Sequence, residues 1–90
     1  MRRCKLTISG RVQGVRFRAF LKERADALGL AGWCRNLPSG EVEALAAGDE
    51  AKLKRFMEEA REGPIGSDVS GVSAEWANDA EIFHGFTIIR

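Results

Sequence analysis

Twice in this 90-residue chain an alternating apolar pattern gives way to an apolar stripe of helical period, and this succession restricts the fold more than any other feature. The first alternation predicts a strand over residues 3–9, with one face covered and the other in water. From Phe17 the apolar residues recur every three or four positions, which predicts a helix. Gly29 suits a left-handed C-cap, so this helix is expected to end near Leu28.

The second half of the chain repeats this succession. Asp49 is a suitable N-cap for a second helix, which is expected to end at Gly63, and residues 65–69 are predicted to be a loop. Alternating or apolar runs bounded by turn residues predict four further strands, over residues 32–37, 41–47, 72–76 and 86–89. The first two of these are joined by a Pro-Ser-Gly turn and are expected to form an antiparallel hairpin.

The predicted order is therefore β-α-β-β-α-β, followed by a short extra strand. A helix between the first two strands requires a crossover between parallel strands, which leaves a place between them for the third strand. The fold class that follows is α+β, a ferredoxin-like sandwich with an antiparallel-type sheet of order 4-1-3-2 and both helices on one face. Residues 1–90 are expected to form a single domain.

Composition and charge exclude several classes of protein. The net charge of +1 is too small for a general polyanion binder, so any basic function requires local clustering. The N-terminus lacks the apolar stretch of a signal peptide, and no eighteen apolar residues run together, which predicts a cytoplasmic protein without a membrane span. Cys4 and Cys34 would lie about 10 Å apart across an intervening strand. They are therefore expected to be reduced, half-buried thiols.

The stretch from Gly10 to Arg18, G-R-V-Q-G-V-R-F-R, joins the first strand to the first helix and contains three arginines and no acidic residue. A loop that enters a helix N-terminus presents unpaired backbone N–H groups, and Gly14 allows that backbone to curl around an anion. Arg18, at the start of the helix, could hold two phosphate oxygens at once. On these grounds alone, an anion site and an ordinary connection with solvated arginines fit the sequence equally well.

The same stretch resembles the first signature of the acylphosphatase family. The run G-W-C-R-N-L-P-S-G-E-V, residues 32–42, is similar to the second signature of that family, G-W-V-x-N-x-x-x-G-x-V. The resemblance continues through E-G-P and the terminal G-F-T-I-I-R, so it covers essentially the whole chain. The departures from the family pattern are at Arg16, Cys34 and Ser39 and leave Arg18 and Asn36 unchanged.

This resemblance implies an enzyme that hydrolyses the carboxyl–phosphate bond of acyl phosphates to a carboxylate and inorganic phosphate. By motif position, it implies that Arg18 binds the phosphoryl group and that Asn36 orients the attacking water. It also implies a phosphate cradle formed by the backbone of Gln13, Gly14, Val15, Arg16 and Phe17. The carboxylate leaves without protonation because its conjugate acid has a pKa of about 4, so no general acid is required. Neither a metal ion nor another cofactor is implied.

The expected partners are a small-molecule acyl phosphate as substrate and inorganic phosphate as product and inhibitor. No nucleic acid or membrane is expected to bind, and the chain is expected to be a monomer. The alternative is a non-catalytic ferredoxin-like module that binds an anion or RNA, and RNA recognition on such a fold usually places aromatic residues on the open sheet face. The first and third strands instead display charged and small polar residues there: Arg3, Lys5, Thr7, Ser9, Glu41 and Glu43. This pattern favours the enzyme.

Overall fold

A computed structural model describes residues 2–78 and 83–89 of the chain. Within these ranges the chain forms two helices and five strands in the predicted order. The elements are β1 (Arg2–Arg11), α1 (Phe17–Ala27), β2 (Ala31–Asn36), β3 (Val42–Gly48), α2 (Glu50–Glu62), β4 (Asp68–Asn78) and β5 (Phe86–Ile88). Neither of the helices in these ranges is long and apolar enough to cross a membrane.

The five strands form one sheet in the order β4-β1-β3-β2-β5. β1 is antiparallel to both of its neighbours, β3 and β4, and β2 is antiparallel to β3. The predicted order 4-1-3-2 is therefore confirmed. β5 adds a strand at the outer edge, parallel to β2, where Gly32 lies opposite Phe86 and Cys34 lies opposite Ile88.

β4 begins at Asp68, four residues earlier than predicted, so the prediction of a loop as far as Val69 is wrong. The additional residues pair with the end of β1, where Gly10 lies opposite Val69 and Arg11 lies opposite Asp68. A register shift separates these pairs from the rest of the ladder. A bulge of this kind interrupts the alternation of side chains while the pairing of the backbones continues, which is why the pattern in the sequence stops too early.

The start of α2 and the end of α1 lie at residues that the sequence analysis identified as caps. The side chain of Asp49 accepts a hydrogen bond from the backbone N–H of Lys52 at 3.3 Å, so it caps α2 as predicted. Gly29 adopts a left-handed backbone with a φ of 69°, two residues after the end of α1.

The core lies between the helices and one face of the sheet. The predicted apolar face of β1 is the buried one, and the two helices contact each other across the same face. The helical residues that are fully buried are Phe17, Leu21 and Ala25 from α1 and Leu53, Phe56 and Ala60 from α2. Because β1 and β2 run parallel to each other, their C-terminal ends lie at the same end of the sheet. The loop after β1 and Asn36 at the end of β2 are thereby brought together.

Candidate active site

The loop between β1 and α1, residues 12–16, has two residues in the left-handed region of backbone conformation. Gly14 has a φ of 75°, and Arg16, which precedes the first helical residue, has a φ of 61° and a ψ of 30°. Left-handed residues in a loop can turn successive N–H groups toward one point, which forms a nest for an anion. Arg16 makes no side-chain cap, and the first turn of α1 has no acidic residue. The first turn of α1 therefore contributes no negative charge next to the N-terminal N–H groups of the helix.

A cavity of about 350 Å³ opens beside this loop. Its lining comes from the loop, from the first turn of α1 and from the ends of two strands. The lining residues are Val12, Gly14, Arg16, Phe17, Arg18, Ala19, Asn36 and Ile88. Five of the seven residues predicted for the site are thus brought to one cavity, while Val15 and Gln13 do not line it.

Arg18 reaches the cavity from the first turn of α1 and is held there by Ile89, the residue that follows β5. Its Nη1 donates to the carbonyl oxygen of Ile89 at 3.3 Å, and the N–H of Ile89 donates to the carbonyl oxygen of Cys34 at 2.8 Å. The guanidinium thus contacts a neutral acceptor, and no carboxylate in the described part of the chain pairs with it. Its positive charge and its remaining N–H groups are available to an anion.

Asn36 is the last residue of β2, and its side chain is exposed. It lies opposite Val42 in the register with β3, so the turn between these strands begins directly after it. The side-chain amide makes no hydrogen bond to any residue in ranges 2–78 and 83–89. An exposed and unengaged amide at the rim of the cavity has both a donor and an acceptor to offer to a water molecule or a ligand.

Gln13 is placed differently from the rest of the predicted cradle. Its side chain does not line the cavity but contacts the turn between β2 and β3. There its amide donates to the backbone carbonyl groups of Leu37 and Glu41. Sequence reasoning assigned Gln13 only a backbone role and missed this contact. It also missed Val12, Ala19 and Ile88 as lining residues. Nothing in the residue type of Ile88 indicates that β5 ends beside Arg18, since that depends on the pairing of β5 with β2.

Cys34 lies beneath Arg18 but has the properties of a packing residue. It is 0% exposed, and its thiol donates to the carbonyl oxygen of Arg18 at 3.7 Å. Burial raises the pKa of the Cys34 thiol from 9.0 to about 11, against a smaller lowering by the charges of Arg18 and Lys22. A thiol of this pKa carries almost no thiolate at neutral pH and is a poor nucleophile. Cys4 is also buried and free, so neither cysteine forms a disulfide, as predicted, and both are more buried than predicted.

A second cavity, of about 520 Å³, lies on the other side of the molecule, between α2 and the beginning of β1. Cations line it as well, but Glu50 accepts a hydrogen bond from Arg2 at 2.6 Å and lies 3.4 Å from the ammonium of Lys54. This internal neutralisation makes the larger cavity the weaker anion site. Among the described residues no three His, Cys, Asp or Glu side chains are grouped so that they could hold a metal ion.

Comparison with known proteins identifies the family of the chain. A model of the acylphosphatase family matches residues 4–88, which is nearly the whole chain. The chain belongs to the acylphosphatase family. The resemblance predicted from the two motifs is therefore confirmed, and so is the assignment of the chain as an acylphosphatase, an enzyme of acyl phosphate hydrolysis.

Individual acylphosphatases match over similar lengths. One from Rhizobium meliloti (strain 1021) is 46% identical over 83 residues, which is 92% of this chain and 87% of that protein. Another from Acaryochloris marina (strain MBIC 11017) is 42% identical over 86 residues, 96% of this chain and 91% of that protein. The crystal structure of acylphosphatase from Bacillus subtilis superposes with a TM-score of 0.98 at 39% identity and covers 100% of both chains. This agreement confirms the predicted α+β, ferredoxin-like fold.

Proposed function

We propose that this acylphosphatase hydrolyses its substrate in the 350 Å³ cavity, with Arg18 and the loop backbone binding the phosphoryl group and Asn36 orienting the attacking water. The observation that carries the proposal is the convergence of Gly14, Arg18 and Asn36 on that one cavity. These residues come from a loop, a helix and a strand end, and each offers a group that phosphoryl transfer requires.

The phosphoryl group binds at the N-terminus of α1. Backbone N–H groups of residues 14–17 and the helix dipole favour negative charge there, and the guanidinium of Arg18 binds two phosphoryl oxygens. Charge spreads over the equatorial oxygens in the transition state, so donors already fixed around them stabilise the transition state without reorganisation. The contact from Arg18 to Ile89 leaves the second terminal nitrogen of the guanidinium for this task.

Asn36 positions the water on the side opposite the leaving group. Its amide oxygen accepts a hydrogen from the water, which directs a water lone pair toward phosphorus. The bond from water oxygen to phosphorus forms as the bond from phosphorus to the acyl oxygen breaks, and the electron pair leaves with the carboxylate. The water protons pass to the product phosphate and to solvent. Arg18 and the backbone already neutralise the phosphoryl charge, so the reaction runs without a metal ion or another cofactor in this proposal.

The acyl group faces the apolar part of the lining. Ala19 is exposed on the outer side of α1, and Ile88 is half-buried at the end of β5, and both lie next to Arg18 in the cavity wall. A small acyl phosphate with a neutral acyl group fits this arrangement, and its product, inorganic phosphate, competes for the same donors. We propose that the working unit is a monomer in which residues 1–90 form a single domain.

The alternative of a non-catalytic anion- or RNA-binding module has less support. Trp33 lies on the open sheet face, but the guanidinium of Arg35 covers its ring at 5.3 Å from the centroid. Arg35 is itself paired with Glu43 at 2.8 Å. The aromatic surface and the cation that RNA would require are therefore already engaged within the chain.

The proposal is tested by phosphate release from acetyl phosphate and benzoyl phosphate in excess chelator, with wild type compared with Arg18→Ala and Asn36→Ala. Both variants should lose at least about 100-fold in kcat/KM, the usual cost of removing a transition-state donor or a positioning group. Inorganic phosphate should still inhibit Asn36→Ala competitively, whereas Arg18→Ala should lose this inhibition because its anion ligand is gone.

Arg11→Ala is the matched control, since Arg11 is exposed in the same part of the chain, carries the same charge and does not line the cavity. Its kcat/KM should stay within about twofold of wild type, in keeping with the small effect of exposed charges in salt. Full activity in Arg18→Ala or Asn36→Ala, or a strict requirement for a metal ion, would contradict the proposal.

A further inference from the structure

The side chain of Gln13 joins the two halves of the proposed site. Its Nε2 donates to the carbonyl oxygen of Leu37 and to the carbonyl oxygen of Glu41, both at 2.9 Å. Leu37 directly follows Asn36, and Gln13 directly precedes Gly14. The side-chain amide of Gln13, the residue before Gly14, thus contacts Leu37. Leu37 is the residue after Asn36, the proposed water-positioning residue.

The two carbonyl groups that Gln13 contacts also close the turn between β2 and β3. The N–H of Leu37 donates to the carbonyl oxygen of Glu41 at 2.8 Å, and the N–H of Gly40 donates to the carbonyl oxygen of Leu37 at 3.1 Å. Each carbonyl oxygen has two lone pairs, so the Gln13 amide completes the acceptor capacity of both. The side chain therefore holds the turn itself.

The chemistry of this contact requires a primary amide. Two neighbouring carbonyl oxygens are contacted from one nitrogen atom, so that nitrogen must carry two hydrogens to donate. The NH₂ group of glutamine supplies them. A glutamate at this position would present carboxylate oxygens to two carbonyl oxygens, which repel it. An asparagine is one methylene shorter, and a methionine of similar length has no donor.

We propose that Gln13 is a positioning residue for hydrolysis, which sets the distance between the phosphate bound in the loop and the water held by Asn36. This inference rests on the proposed function. In-line attack depends on that distance, and a displacement of about 1 Å can cost about 100-fold in rate. Gln13 lies outside the cavity, so it acts through the turn that carries Asn36 and not on the substrate.

A second contact limits the movement of the same turn. The hydroxyl of Ser9 in β1 donates to one carboxylate oxygen of Glu41 at 2.9 Å, and the hydroxyl of Ser39 donates to the other at 2.9 Å. These bonds reach the Glu41 side chain, which can rotate, whereas Gln13 holds the backbone. Loss of Gln13 should therefore leave the turn formed but free to shift relative to the loop.

The experiment measures kcat with acetyl phosphate and the inhibition constant of inorganic phosphate in Gln13→Ala and Gln13→Met. We expect kcat to fall about 10- to 100-fold in both variants. The inhibition constant should stay within about threefold of wild type, because Arg18 and the loop donors remain. If Gln13→Ala does not fold, Gln13→Met, which keeps the length and the apolar stem, provides the same comparison.

A double-mutant cycle separates positioning from a general structural effect. In the Asn36→Ala background, Gln13→Ala should cost less than about threefold in kcat, because the group that it positions is absent. Asp49→Ala, which removes the cap of α2 on the far side of the molecule, serves as the control for lost stability and should leave kcat unchanged.

Three results would overturn the inference. They are a normal kcat in the Gln13 variants, a loss of phosphate inhibition equal to the loss of kcat, and a full multiplicative loss in the double variant. Each of these results requires a wild type that hydrolyses acetyl phosphate. An inactive wild type would instead contradict the proposed function, so the two failures are distinguishable.

Discussion

Arg16 has a backbone conformation that is unfavourable for a side chain of its kind. Its φ of 61° and ψ of 30° lie in the left-handed region, where a residue other than glycine costs about 1–2 kcal/mol. Strain of this size is retained where the surroundings determine the conformation, which happens often at ligand sites. Here it lets the chain enter α1 at Phe17 while the backbone still curves around the cavity. Arg16, one of the three positions that depart from the family pattern in residue type, is thus a position where the backbone conformation matters more than the side chain.

Cys34 makes stability depend on pH in the alkaline range. Burial raises its pKa from 9.0 to about 11, so the folded state favours the neutral thiol. The contribution of the neutral Cys34 thiol to the free energy of unfolding is fully present below pH 9. It is lost as the pH rises to about 11, because the unfolded chain releases the thiol proton more readily than the folded chain does. A pKa difference of two units between the folded and unfolded states corresponds to about 2–3 kcal/mol in the free energy of unfolding.

The test compares urea unfolding of wild type and Cys34→Val between pH 8.5 and 11. Valine is similar in volume and has no proton to release, while the other alkaline groups, Cys4 among them, remain in both proteins. Wild type should lose about 2–3 kcal/mol more than the variant over this range. Parallel curves for the two proteins would show that burial of the thiol does not have this effect.

At the scale of secondary structure, β2 depends on a glycine that its sequence pattern does not explain. Gly32 has a φ of 141°, and a Cβ atom there would lie 1.8 Å from the carbonyl oxygen of Leu45 in β3. Gly32→Ala should therefore lose about 3 kcal/mol or more of unfolding free energy, from backbone strain and the clash together. Urea unfolding measures this loss.

Gly71 in β4 provides the matched control for that substitution. A Cβ atom at Gly71 meets no atom within 4 Å, and its φ is not in the left-handed region. Gly71→Ala should be neutral or should stabilise the protein by up to about 1 kcal/mol, because alanine restricts the unfolded chain. Equal losses in the two variants would contradict the steric explanation for Gly32.

Local patterns predicted most of the elements because strand and helix periods are properties of neighbouring residues. The alternation of Cys4, Leu6 and Ile8 gave the buried face of β1, and Asp49 gave the start of α2. The position of β5 could not be predicted, because three residues carry too little pattern to indicate which strand they pair with. The early start of β4 was missed for a similar reason, since its first residues pair beyond a bulge.

The candidate site was predictable only in part. The two motifs led to Arg18 and Asn36, and the structure places both beside one cavity. The side-chain contacts of Gln13 could not be predicted from the sequence. Its acceptors are backbone carbonyl groups, which every residue type possesses, and they lie 24 and 28 residues away along the chain. Ile88 and Ala19 were missed because the cavity wall depends on how β5 packs beside α1.

At the scale of the whole molecule, the proposed site exists only in the complete fold. It draws on the β1–α1 loop, the end of β2 and the end of β5. These segments meet because β3 pairs with both β1 and β2, and β2 also pairs with β5. The contact from Arg18 to Ile89 and the contacts from Gln13 to the turn cross between these segments. An unfolded chain offers no such arrangement, so an anion that binds the site must bind the folded state preferentially.

Inorganic phosphate should therefore stabilise the protein against urea and heat. At a concentration ten times its dissociation constant, the free energy of unfolding should rise by about 1.4 kcal/mol. Asn36→Ala should show the same increase, since the phosphate ligands remain, whereas Arg18→Ala should show almost none. If the working unit is one chain, the midpoint of unfolding should not depend on protein concentration, with or without phosphate. Stabilisation by phosphate that persists in Arg18→Ala would place the anion elsewhere, and the larger cavity beside Arg2 and Lys54 would then be the first region to examine.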